Sequence, residues 1–105
     1  MKIENCNSIE SLHEYTTTLS LPILAGKSKK EEILKEMKMQ IDERILALCN
    51  DKTKFKKKKE SMWKQAEESA CKEFNTLPDK LQLNSFYLQE VMHQYVELVK
   101  DQFFS

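Results

Sequence analysis

A chain of 105 residues is the size of one domain, and 40% hydrophobic residues are enough to give it a core of its own. One glycine and two prolines leave little with which to build tight turns, hairpins or phosphate-cradling loops, which argues against an all-β fold and against any α/β nucleotide fold. Net charge is zero but unevenly spread: residues 1–50 carry −1, residues 51–64 carry +5 and residues 65–105 carry −4.

The remaining composition, rich in Lys, Glu, Leu, Met, Gln and Ala, is that of helices. Cys6, Cys49 and Cys71 are odd in number, widely spaced and form no C-x-x-C, which fits thiols used as small apolar side chains in a reducing compartment. The chain has no apolar leader, no 18-residue apolar run and no Asn-x-Ser/Thr sequon. An intracellular protein, cytoplasmic or nuclear, is therefore expected.

In chain order, MKIENCN is a lead-in, and Asn7 with Glu10 resembles a capping box opening a first, short helix. Ile9, Leu12, Tyr15 or Thr16, and Leu19 fall near helical spacing, while the run Thr16-Thr17-Thr18 weakens the helix through lost rotamer freedom. Pro22 and Gly26 bracket LPILAG, an apolar connector expected against the core. Ser28 and Glu31 form a better capping box, and Leu34, Met37, Ile41, Ile45 and Leu48 then mark one stripe of a helix over about 29–49. The pair Glu31 and Lys35 supports it at i, i+4.

The break predicted at Asn50-Asp51-Lys52-Thr53 rests on the turn preference of Asn and Asp. A third helix is expected over about 54–76, with Phe55, Met62, Ala66, Ala70, Phe74 and Leu77 on its apolar face and Lys59 where an apolar residue is missing. Trp63 and Cys71 flank that face, and the small Ala66 and Ala70 allow another helix to come close. Pro78 ends this helix or starts the next segment, and residues 79–83 form a turn of helix or a loop. Asn84-Ser85 offers a new N-cap. Leu88, Val91, Met92, Tyr95, Val96, Leu98, Val99 and Phe103 then give the broadest apolar face of the chain. With connections of two to eight residues, neighbours run antiparallel. The expected fold is all-α: one domain over 1–105, an antiparallel helical bundle of three long helices plus a short N-terminal helix.

Motifs for catalysis are lacking. His13 and His93 lie eighty positions apart, and no His-Glu-x-x-His, paired Cys/His set or acidic quartet with a glycine turn occurs. Each histidine reads as a satisfied edge residue. Glu31, Glu32 and Glu36, like Glu67 and Glu68, read as solvated helix faces. No enzyme activity, small-molecule substrate, cofactor or metal is expected.

The lysine run Lys52, Lys54, Lys56, Lys57, Lys58 and Lys59 has three readings: a solvated helix start, a nuclear import signal, or a contact for nucleic acid or anionic membrane. Against the last stand a single arginine, Arg44, the zero net charge, and Phe55 as the one aromatic within the run. Cations at a helix start also oppose its dipole, by a few tenths of a kcal/mol each, about 0.3 at an exposed site. The expected function is protein–protein contact, as a module or subunit of a larger helical assembly with itself or another protein. Trp63, Phe103 and Phe104 are the partner-facing candidates, although for Trp63 a place in the core is the commoner reading; binding of nucleic acid or anionic membrane through the lysine run is the alternative. Two rings next to Ser105, with no helix stop signal, leave two expectations, that they lock onto the bundle or that the last helix continues in a longer protein, and the second is favoured.

Overall fold

The structure, a computed structural model, describes residues 3–18, 27–74 and 85–104. It is all-α. A single 3-10 turn, Ile3–Asn5, leads into α1 (Ile9–Thr18), α2 (Lys27–Leu48), α3 (Lys52–Phe74) and α4 (Ser85–Phe103). The LPILAG connector, Leu77, Pro78 and the segment 79–83 lie outside the described residues. The three long helices begin and end within two residues of the spans expected from periodicity.

Local chemistry sets the helix ends. Ser8, not Asn7, caps α1: its Oγ accepts from the Ser11 amide at 3.2 Å, and Oγ of Ser8 and Ser11 lie 3.0 Å apart. Asn7 is occupied elsewhere, its Oδ1 accepting from Arg44 Nη2 at 3.3 Å, while Arg44 Nε donates to the Cys6 carbonyl at 2.6 Å. The chain's single arginine thus ties the lead-in to α2. The threonines at the end of α1 turn their hydroxyls back onto the helix, Thr16 to the His13 carbonyl and Thr17 to that of Glu14, each at 2.6 Å. Gln89 of α4 then donates to the last carbonyls of α1, Thr16 at 3.2 Å and Thr17 at 2.9 Å. These are orphan acceptors that α1 cannot satisfy by itself.

The α2–α3 corner is equally specific. Asp51 caps α3, its Oδ1 accepting from the Lys54 amide at 3.0 Å. Lys52 Nζ donates backwards to the Cys49 carbonyl at 2.8 Å, at the electronegative end of α2. The dipole conflict expected for the lysine run is thereby reduced at two points: Asp51 supplies an anion at the start of α3, and Lys52 serves the end of the preceding helix.

Helix directions emerge from the contacts. Phe55, at the start of α3, meets Phe103, at the end of α4, with ring centroids 5.9 Å apart; near the other end Cys71 Sγ donates to Tyr87 Oη at 3.5 Å. The α3 and α4 helices are therefore antiparallel, and so are α1 and α4, joined by Gln89 at one end of α1 and by the His13–His93 ring pair one turn away. The most extensive packing is of α4 on α3 and then of α4 on α1. The long axis of the molecule, 38 Å, is little more than the length of the 22-residue α2 at about 1.5 Å per residue, so the helices lie side by side.

One core runs through the bundle. Leu12 of α1, Ile41 and Ile45 of α2, Phe55, Met62, Ala66 and Ala70 of α3, and Leu88, Val91, Met92, Tyr95, Val96 and Val99 of α4 are all buried. Burial of each large side chain among them stabilises the fold by about 1.5–3 kcal/mol. The helix with the broadest apolar face in the sequence is the one that two neighbours cover. Cys6 and Cys49 are buried and Cys71 is half-buried; none of the three is in a disulfide. No helix among the described residues is long and apolar enough to cross a membrane.

Candidate functional site

The polar chemistry that the bundle draws together lies on the α1–α4 seam. His93 and Glu97 are four residues apart on α4, hence on one face. His13 reaches them from α1. The two imidazoles stack with centroids 4.1 Å apart and planes inclined by 26°. One ligand-type atom from each of His13, His93 and Glu97 falls within 4.8 Å of the others.

Thr16 orders this cluster. It is fully buried, and its hydroxyl proton is directed to the His13 carbonyl. Its oxygen is left as the acceptor for His93 Nδ1, 3.0 Å away, so Nδ1 is the donor in this bond and Nε2 is the ring nitrogen left for another partner. His13 Nε2 is buried and has no hydrogen-bond partner among the described residues. Burial holds the His13 imidazole below its ordinary pKa; the neighbouring His93 and Lys100 push the same way, while Glu97 and Asp101 oppose them. Glu97 is exposed, so the seam opens to water on that side. The chemistry on offer is two imidazoles and a carboxylate. The sequence alone does not assemble it; the i, i+4 pair of His93 and Glu97 is the local signal, but the arrival of His13 depends on how α1 docks.

The residues singled out in the sequence are placed differently from one another. Trp63 is 9% exposed, edge-on to Tyr95 at 5.2 Å and 72°, with Lys38 Nζ 4.7 Å from its ring centroid. It forms a wall of the core between α2, α3 and α4. Phe103 and Phe104 are half-buried against one end of the core, with Lys54 Nζ 5.4 Å from the Phe103 centroid. The amide of Phe104 still closes a helical turn on the Lys100 carbonyl at 3.0 Å.

Lys52, Lys54, Lys56, Lys57 and Lys58 are exposed and Lys59 is half-buried. At about 100° per residue these six fall all round the axis of α3 rather than on one stripe, leaving the Phe55 side to the core. Lys52 and Lys54 are already engaged within the bundle, at the Cys49 carbonyl and the Phe103 ring.

Two open grooves lie on the surface of the described residues. One of about 460 Å³ runs along a single face of α3 past Lys64, Glu67, Glu68, Cys71 and Lys72. The other, of about 360 Å³, lies beside Arg44, between Ile3, Gln40 and Glu43. Both carry mixed charge, and neither includes the histidines. Searches of family models, curated proteins and solved structures find nothing that matches this chain.

Proposed function

We propose that the protein acts by contact, as a helical interaction module or as a subunit of a larger helical assembly. The observation that supports this best is the pair Phe103 and Phe104: two large rings at one end of the bundle, each only partly covered, beside the cation of Lys54. Aromatic residues, Phe among them, are enriched at the cores of protein interfaces relative to the rest of the surface. Trp63 contributes from within, by holding α2 to α3 and α4. Met39, 54% exposed on α2, is a second apolar contact point and lies well along the chain from the rings.

Crosslinking of the protein in native lysate, with mass spectrometry of the products, tests the reading when wild type is compared with Phe104→Lys. Light scattering over a range of concentrations separates self-association from binding of another protein. The expected result is loss of a specific crosslinked neighbour in the variant with helix content unchanged. An identical set of neighbours in both proteins would overturn the aromatic end as the contact.

A second reading is binding of nucleic acid or anionic membrane through Lys52, Lys54, Lys56, Lys57, Lys58 and Lys59. It is favoured by Lys56, Lys57 and Lys58, which are exposed and have no ion pair among the described residues. Their spread round the helix disfavours a one-sided grip on a phosphate backbone. Fluorescence anisotropy with random duplex, and flotation with anionic vesicles, each at two salt concentrations, decide it: absence of binding at low salt removes this reading.

A further inference from the structure

We propose that His13, His93 and Glu97 form a binding site for a divalent transition-metal ion of the zinc type, clamping α1 to α4.

The donor set carries the argument first. Two imidazoles and one carboxylate are a combination that suits zinc, with water taking a fourth position. The ligand-type atoms already lie within 4.8 Å of one another without any contribution from a distant loop. Tetrahedral zinc, with bonds of about 2.0–2.2 Å, holds its ligand atoms about 3.3–3.5 Å apart. Side-chain rotations that close the set by up to about 1.5 Å bring it to that spacing; the two rings are stacked with planes 26° apart, so the same rotations must turn their in-plane lone pairs onto one point.

The surroundings carry it further. A metal-binding imidazole usually donates its other N–H to a fixed acceptor, which sets the tautomer and the direction of the lone pair. Thr16 provides that acceptor for His93 Nδ1, and is itself fixed by its bond to the His13 carbonyl. His13 Nε2 is a buried polar atom without a hydrogen-bond partner among the described residues, and buried polar atoms are rarely left so. A metal ion satisfies it directly. Glu97 brings the negative charge and an exposed approach, so an ion can enter and keep a water. Lys100, one turn beyond Glu97 and two beyond His93, works against cation binding and Asp101 works for it.

The same ion has a structural consequence. A ten-residue helix is marginal alone, and α1 relies on α4 for its C-terminal hydrogen bonds. A metal bond from His13 to two residues of α4 adds a second attachment, and a ligand that binds the folded state raises its melting temperature.

The test uses the full chain, stripped with chelator and titrated with Zn²⁺ alone. Wild type is expected to take up one equivalent by calorimetry and native mass spectrometry, with a rise in melting temperature of several degrees. The chain has only two histidines, so long-range ¹H–¹⁵N spectra report each ring: His93 protonated on Nδ1 before addition, and both Nε2 resonances shifted after it. Glu97→Gln, an exposed change, should weaken affinity at least tenfold with helix content intact. His93→Gln should abolish uptake, and Thr16→Val should weaken it by disturbing the ring that Thr16 holds. Cobalt(II) substitution checks the donors: thiolate charge-transfer absorption would place the ion on cysteine and overturn the assignment. No uptake by wild type at millimolar Zn²⁺, or uptake unchanged by both Glu97→Gln and His93→Gln, would overturn it equally.

Discussion

The Tyr95 phenol donates to Asp42 Oδ1 at 2.5 Å, joining α4 to α2 through the middle of the core. Burial pushes the Asp42 carboxyl above the ordinary carboxylate range, against the hydrogen bond from Tyr95 and the nearby charges of Lys38 and Lys59; Glu60 adds to the rise. The phenol is pushed up as well, by burial and then by the Asp42 charge, and remains a neutral donor at any working pH. Tyr95→Phe removes the donor and leaves the carboxylate short of a partner, which should cost about 1–3 kcal/mol in urea denaturation at pH 7. Asp42→Asn keeps an acceptor for the phenol and removes the buried charge, so it should change stability little or raise it. The folded-state pKa of Asp42 is raised, so the folded protein holds this proton more tightly than the unfolded chain, and the related stability is gained as pH falls towards the ordinary carboxylate value. Any advantage of Asp42→Asn should therefore shrink as the pH of the denaturation series is taken from 7 to about 4, near the ordinary aspartate value.

Trp63 is the chain's one tryptophan, which makes its position measurable. Its edge-on contact with Tyr95 and the Lys38 ammonium above its ring put three helices round one indole. Trp63→Ala should cost about 3–5 kcal/mol, as for other large buried rings. Trp63→Phe should cost less. The native emission should lie to the blue of the unfolded chain's, and fluorescence-detected unfolding should coincide with loss of helix by circular dichroism. The ion pair of Lys38 with Glu60, at 3.5 Å and with Glu60 exposed, adds little to this contact.

Ala66 and Ala70 are fully buried on the helix that packs most extensively with α4. Enlarging either leaves the extra atoms nowhere to go. Ala70→Leu should destabilise by about 1–3 kcal/mol through overpacking, although leucine is as apolar as the site demands. Ala70→Gly should also destabilise, by about 1 kcal/mol, through helix propensity. Equilibrium denaturation of both variants separates a packing limit from a simple need for hydrophobicity.

His13 makes the α1–α4 seam sensitive to acid. Its folded-state pKa lies below the unfolded value near 6.5, and the groups that face it on α4 are His93, Glu97, Lys100 and Asp101. The unfolded chain binds this proton more readily, so the stability it confers is present above about pH 6.5 and declines as pH falls below that. In chelator, wild type should lose more melting temperature between pH 7.5 and pH 5.5 than His13→Asn does. Equal losses would remove His13 as the source.

The long helices are legible in the sequence because their signals are local. The stripe through Met37, Ile41, Ile45 and Leu48 and the stripe through Phe55, Met62, Ala66 and Ala70 need only helical spacing, and the bundle buries or half-buries every one of these residues. The side chains of Leu34 and Phe74, at the ends of those stripes, lie outside the described residues. The first cap falls one residue later than expected because Asn7 and Ser8 are both good capping residues, and the claim of Arg44 on Asn7 decides between them from 37 positions away. Trp63 is ambiguous in the sequence for a similar reason: its place beside the stripe does not say whether α2 will cover it. The histidine cluster is least legible, since each ring is unremarkable on its own helix. What joins them is the antiparallel docking of the first helix on the last.

That docking constrains how the chain can come into being. The carbonyls at the end of α1 are served by Gln89, and His13 has its ring partner at position 93. During synthesis the N-terminal helix therefore emerges into water some seventy residues before the surface it needs exists. A ten-residue helix is marginal on its own, so a chain halted before α4 has emerged would leave α1 without the partner that completes it.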